Sequence, residues 1–190
     1  MEKIELKPAS VFHYFEEICK VPRPSKKEEK IIAYLMDFAE KHGLEAKKDE
    51  AGNILMKKPA TPGKENLKTV ILQSHIDMVC EKNSDSTHDF LNDPIETYID
   101  GEWLKAKGTT LGADNGIGMA TQLAVLAADD IEHGPIECLF TVDEETGLTG
   151  AFALKEGFMD GDILINLDSE DEGELFIGCA GGANTTAEFA

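Results

Sequence analysis

Basic residues are scarce in this chain, where 18 Lys and Arg stand against 37 Asp and Glu, a formal net charge of -19 over 190 residues. Nucleic acid and anionic membrane would be repelled at long range, so neither is an expected partner. The acidic surplus reads first as a solvated surface. No apolar run approaches the ~20 residues that span a bilayer, and the opening MEKIELKPAS lacks an apolar core of signal-peptide length. A cytoplasmic protein is expected. The four cysteines, Cys19, Cys80, Cys138 and Cys179, are too widely spaced for a zinc ribbon, so buried free thiols are expected. A GxSxG elbow, a phosphate loop and a dinucleotide fingerprint are all missing, which removes support for serine hydrolase, NTPase and Rossmann oxidoreductase readings. There is no internal repeat, and the only biased tract is acidic, Ser169 to Glu174.

What is present is a recurrent strand-then-helix order. Phe12, Phe15 and Ile18 recur at helical spacing over Val11 to Lys20, before the breaker VPRPS. Ser25 and Glu28 read as a capping box for a second helix carrying Ile31, Ile32, Leu35 and Phe38, which Gly43 stops. Leu44 to Asp49 and Asn53 to Lys58 read as a hairpin or as two successive strands, and a hairpin is expected around the turn Asp100-Gly101. Thr69 to Gln73 has the β-branching of a buried strand and delivers His75 to its end. The polar stretch Glu81 to Thr97 is a surface excursion. A helix is expected from Asn115 through Ala128, then a strand from Ile136 to Val142, a short helix near Leu148 to Glu156, and a strand from Asp162 to Leu167. Such an order implies a sheet with helix-covered faces. The terminal IGCAGGANTTAEFA reads as a glycine-rich hinge and an incipient strand, as expected of a piece of a longer polypeptide.

Four motifs fall at strand ends or a helix start, where α/β enzymes keep their chemistry. They are His75-Ile76-Asp77, the GADNG around Asp114, the pair Glu144-Glu145, and Asp168. Together they offer hard oxygen and imidazole ligands for one or two divalent ions, with a carboxylate left over as base. Singly, each has a plainer reading. His75 would be a satisfied polar residue, Asp114 a helix cap, Glu144 and Glu145 a solvated loop, and Asp168 surface charge like Glu170, Asp171 and Glu172. The backbone of His75-Ile76-Asp77 is expected to turn the two polar side chains to opposite sides. Asp77 would then act behind His75, fixing its tautomer rather than sharing its ion. Glycines flanking Asp114 would let the backbone approach a ligand. Cys80 is a minor candidate ligand, His88 and His133 are loop residues near substrate at most, and His13 and His42 lie on helix surfaces.

The succession HIDMVCEKNSD, THDF, DPI, YIDGEW, GTTLGADNGIGMA, HGP, EETG and ILINLDSEDEGELFIGCAGG resembles the cytosolic aminoacyl-histidine (Xaa-His) dipeptidases, of the dinuclear zinc aminoacylase and carnosinase group. The likeness runs over nearly the whole chain. It implies an α/β, zinc-exopeptidase-like mixed β-sheet flanked by helices. It also implies a site of two Zn2+, with Co2+ or Mn2+ as alternatives, and a dipeptide substrate. His75 and Asp168 would hold one ion, Asp114 would bridge, and Glu145 would hold the second. Asp77 would orient His75, and Glu144 would be the general base that takes a proton from water and passes one to the leaving amine. A cis peptide is implied at Asp114-Asn115.

Members of the group are much longer, with a lid and dimerisation domain inserted beyond the region this chain covers. Residues 1–190 are therefore expected to be the N-terminal part of an incomplete catalytic domain, near the hinge to that absent domain. One further metal-ligand histidine and the groups for the substrate carboxylate would lie outside it. The expectation is a homodimer for the full-length enzyme and weak or absent activity for the segment alone. A tripeptidase, an N-acyl amino acid deacylase and a non-catalytic metal-binding module are the alternatives.

Overall fold

The computed structural model describes residues 6–169, 171, 173–179, 181 and 185–189. The first five residues of the N-terminal stretch, and Glu170 and Glu172 of the acidic tract, lie outside that set. Eleven elements follow in chain order: α1 (Ala9–Cys19), α2 (Glu29–Lys41), β1 (Glu45–Lys48), β2 (Ile54–Lys58), β3 (Val70–His75), β4 (Thr97–Asp100), β5 (Trp103–Ala106), α3 (Ala113–Ala127), β6 (Ile136–Thr141), α4 (Thr149–Ala153) and β7 (Ile163–Asn166). β4 pairs with β5 in the expected hairpin, and of the two readings for β1 and β2 the structure shows the hairpin. At 177–190, where the sequence reads as an incipient strand, the described residues have no regular structure.

The main sheet runs in the order β1-β2-β6-β3-β7 and is mixed. β2 is antiparallel to β6, whereas β3 lies parallel to both β6 and β7. Parallel neighbours end at the same edge of a sheet, so the residues after β3, β6 and β7 are brought together there.

Helical spacing decides what covers the sheet. Phe15, Ile18 and Cys19 on α1, Ile31, Leu35, Phe38 and Ala39 on α2, and Met119, Ala120, Leu123 and Leu126 on α3 are buried in one core with Ile54, Met56, Cys138 and Phe140. Period-3.6 stripes on helices thus meet period-2 faces of strands. Gln122 of α3 sits fully buried in that core with every polar atom engaged. Its amide donates to the carbonyls of Leu72 (2.7 Å) and Leu139 (3.1 Å), and its oxygen accepts from Ser74. This fixes α3, and the turn before it, relative to β3 and β6. The opposite face carries a smaller cluster of Leu55, Ile71 and Leu139, against which Leu154, Phe158 and Met159 pack.

Two expectations need correction. Ser25 and Glu28 do not form a capping box, because α2 begins at Glu29 without a side-chain cap bond and both side chains are used elsewhere. The cysteines are free as expected, but only Cys19 and Cys138 are buried, with Cys80 half-buried and Cys179 exposed.

Candidate metal centre

His75 is the last residue of β3, and Glu144 and Glu145 follow the end of β6. Asp168 lies just beyond β7. Asp114 has extended backbone angles and Asn115 lies off the helical region, so the regular part of α3 starts only after them. The peptide Asp114-Asn115 is cis, as the resemblance implies. The His75 ring is 1% exposed and its Nε2 lies 2.8 Å from Asp114 Oδ1, 3.8 Å from Asp168 Oδ1 and 3.9 Å from Glu144 Oε2. Ligand atoms of His75, Asp114 and Glu145 lie within 4.8 Å of one another, as do those of His75, Glu144 and Asp168. Four carboxylates thus converge around one imidazole edge.

Asp77 faces the other edge. Its Oδ1 is 3.3 Å from His75 Nδ1, close but without hydrogen-bond alignment. The two side chains therefore lie on the same side of the backbone, contrary to expectation, because residues two apart in extended chain share a face. Asp77 is fully buried and accepts from Ser25 Oγ (2.7 Å), the Glu144 amide (3.0 Å) and the Glu145 amide (3.2 Å). Burial by itself would raise its pKa, but His75, the Glu144 amide and Ser25 outweigh that and bring it down to about 2. Burial likewise opposes a charged His75, yet its contacts with Asp77 and Asp114 raise it to about 9.

The remaining carboxylates are pushed the other way. Burial, then neighbouring negative charge, raises Glu144 and Glu145 above the usual carboxylate range, and burial with Asp114 alongside does the same to Asp168. Crowded carboxylates around one imidazole are relieved by a cation, and oxygen with nitrogen donors suit zinc. The residues present therefore fit a divalent ion. A single Nε2 serves one ion, so His75 can anchor only one of two.

The sequence missed the segment joining α1 to α2. Arg23, 2% exposed, donates from Nη1 to the carbonyls of Ile76 (3.1 Å) and Asp77 (2.7 Å) and from Nη2 to that of Gly112. Glu28, 7% exposed, accepts from the Asp143 amide (3.0 Å). A Cβ at Gly112, whose φ is 69°, would meet the Arg23 guanidinium and Met78, and one at Gly116 would meet Arg23 and Phe15, so both glycines allow a close approach within the chain. A buried arginine between two prolines, in place of a plain breaker, was the only available signal.

Other expected candidates stand apart. Cys80 Sγ turns to the Met78 carbonyl, His133 Nδ1 to that of Gly134, and His42 packs on Phe38. Among the described residues, the only other group of this kind is Glu28, Asp77 and Asp143, all buried and occupied by hydrogen bonds from amides and hydroxyls.

A centre of acid and imidazole side chains at the ends of parallel strands is the arrangement of an α/β metallohydrolase, and the likenesses agree. The model of peptidase family M20/M25/M40 matches residues 71–186, and the chain belongs to that family. It is 53% identical over 188 residues to the cytosol non-specific dipeptidase of Escherichia coli (strain K12), covering 99% of this chain and 39% of that protein. The aminoacylhistidine dipeptidase of Vibrio alginolyticus superposes with a TM-score of 0.87 and 59% identity, covering 88% of this chain and 34% of that one. Aminopeptidase PepT from Bacillus cereus follows at 0.72 and 28% identity, over 85% and 43%. The chain thus spans about two fifths or less of the length of the first two of these relatives.

Proposed function

We propose that this chain is the N-terminal part of the catalytic domain of a cytoplasmic, zinc-dependent dipeptidase that hydrolyses Xaa-His dipeptides of the carnosine kind. The observation that carries the reading is the convergence of Asp114, Glu144, Glu145 and Asp168 near the Nε2 edge of the His75 ring. The name of the E. coli relative, a non-specific dipeptidase, supports a dipeptide substrate, and that of the V. alginolyticus relative, an aminoacylhistidine dipeptidase, supports the Xaa-His preference.

His75 and Asp168 would hold one ion, Asp114 would bridge and Glu145 would hold the second. A divalent ion bound there supplies positive charge that polarises a peptide carbonyl and acidifies water. Glu144 acts as the base. Its carboxyl, raised by burial and by its acidic neighbours, takes a proton from water and delivers one to the leaving amine nitrogen. Asp77 keeps a proton on His75 Nδ1, which leaves Nε2 free as a ligand. The full-length enzyme is a homodimer in this reading, and the chain alone has little or no turnover. A tripeptidase or deacylase would employ the same carboxylates, and the likeness to a protein named an aminopeptidase keeps peptide substrates other than dipeptides in view.

Elemental analysis of the purified chain after equilibration with limiting zinc tests the centre. One zinc per chain, lost in His75→Ala, is expected; no zinc refutes the centre, and two tightly held ions refute its incompleteness. In the full-length enzyme Glu144→Gln should abolish hydrolysis while zinc content is kept. A panel of Xaa-His dipeptides, tripeptides and acylated amino acids then decides the substrate.

A further inference from the structure

The segment from Arg23 to Glu28 carries no group that reaches the ligand atoms, yet it ties together three stretches of irregular backbone that do. Arg23 donates to the carbonyls of Ile76 and Asp77, immediately after His75, and to that of Gly112, two residues before Asp114. Ser25 donates to Asp77 Oδ2, the oxygen that also accepts from the Glu145 amide. Glu28 accepts from the amide of Asp143, next to Glu144. Regular hydrogen bonding is sparse in these stretches, which lie beyond the ends of β3 and β6 and before the regular part of α3. Ile76 still donates to the Thr141 carbonyl (2.9 Å), and Met78 donates to the carbonyl of Arg23 itself (3.2 Å), in a bridge between Pro24 and Met78.

Among the described residues Arg23 forms no ion pair, so its buried guanidinium costs desolvation that its hydrogen bonds must offset. All three bonds of Arg23 go to carbonyls flanking candidate ligands, so they stiffen this region rather than the molecule at large. The glycines agree. Gly112 and Gly116 leave room for the Arg23 head, so the backbone around Asp114 is built against it.

Resting on the metal-centre reading, we propose that Arg23, Ser25 and Glu28 are positioning residues that set the separation between His75, Asp114 and the Glu144-Glu145 pair. Arg23 fixes the distance from the β3 end to the Asp114 turn, and Ser25 locks the carboxylate of Asp77, which faces the imidazole and accepts from the two glutamate amides. Glu28 anchors the β6 end.

The test is zinc affinity of the 190-residue chain, measured by competition with a chromophoric chelator, for the parent, Ser25→Ala, Ser25→Thr, Arg23→Lys and Leu126→Ala. Loss of groups behind a metal ligand weakens metal binding by about 10–100-fold. About tenfold weaker zinc binding is expected for Ser25→Ala, at least as much for Arg23→Lys, and recovery to within about threefold of the parent for Ser25→Thr, which keeps the hydroxyl. Leu126→Ala destabilises the core some 18 Å along α3 from Asp114, at about 1.5 Å per residue. It should leave affinity unchanged, which separates positioning from general loss of stability. If Arg23→Lys does not fold, the Ser25 pair decides. Parent-like affinity in folded Ser25→Ala overturns this inference alone, as does an equal loss in Leu126→Ala. A parent chain that binds no zinc overturns the metal centre and this inference with it.

Discussion

β6 and β7 lie on either side of β3, both parallel to it, and both are apolar, yet they end up in opposite surroundings. Five of the six residues of β6 are buried, while all four of β7 are exposed, with Ile163, Leu164 and Ile165 each more than 40% accessible. β6 has β2 on its other flank and the helical core against Cys138 and Phe140. β7 is the sheet's edge, and among the described residues no strand pairs with its far side. Parallel strands are ordinarily covered on both faces. Burial is therefore a property of neighbours, not of the strand.

The candidate metal centre has the same asymmetry. His75 and Asp77, after the central strand β3, are 1% and 0% exposed and held by the Arg23–Glu28 segment. Asp114 and Asp168 have side chains 54% and 27% exposed. One half of the centre is built into the core, and the other half stands at its open rim.

Substitutions can break this comparison. The largest effect is expected within the sheet, where Phe140→Ala should cost roughly 3–5 kcal/mol in urea unfolding. Leu164→Ala on β7 should cost less than about 0.5 kcal/mol. Comparable losses would mean that β7 is covered in solution. Next is the centre itself, measured without zinc. Asp77→Ala strands Ser25, two amides and His75, and should cost about 3 kcal/mol, whereas Asp168→Ala should stay within about 0.5 kcal/mol of the parent. A large loss for Asp168→Ala would make the two halves equal.

The smallest effect appears in alkali. Burial pushes the Cys19 thiol up to about 11 and raises Cys138 as well. The folded pKa of Cys19 lies above the unfolded value of about 8.5. Its neutral form thus favours the fold fully below that pH, and the contribution is lost as pH rises through about 11. A thiol-reactive disulfide at pH 8 should label Cys179 first, Cys80 more slowly, and Cys19 and Cys138 only on unfolding. Uniform labelling of the four would show that the core opens as readily as the edge.

Much of the site was legible because strand ends are marked in one dimension. His75 closes an apolar run and Glu144-Glu145 closes another, so their place at one sheet edge follows from parallel pairing. What stayed hidden was long-range. Ser25 and Glu28 have the spacing of a capping box, a local pattern, and nothing local says that Asp77 and the Asp143 amide will outbid the helix N-terminus for them. Gly112 and Gly116 announce close approach but not its partner, which lies 89 residues away at Gly112. The side shared by His75 and Asp77 was readable from the period of two, and there the expectation itself was at fault.

By itself the sequence determined the elements, their order, the family likeness and the donor types, since these depend on periodicity, turn residues and motif spacing within a few residues. Only the tertiary structure decided that Arg23 braces the centre, that one imidazole edge gathers four carboxylates, and that β6 is buried while β7 is bare. Those outcomes depend on which distant atoms compete for the same donor or the same face, and sequence-local propensity does not encode that competition.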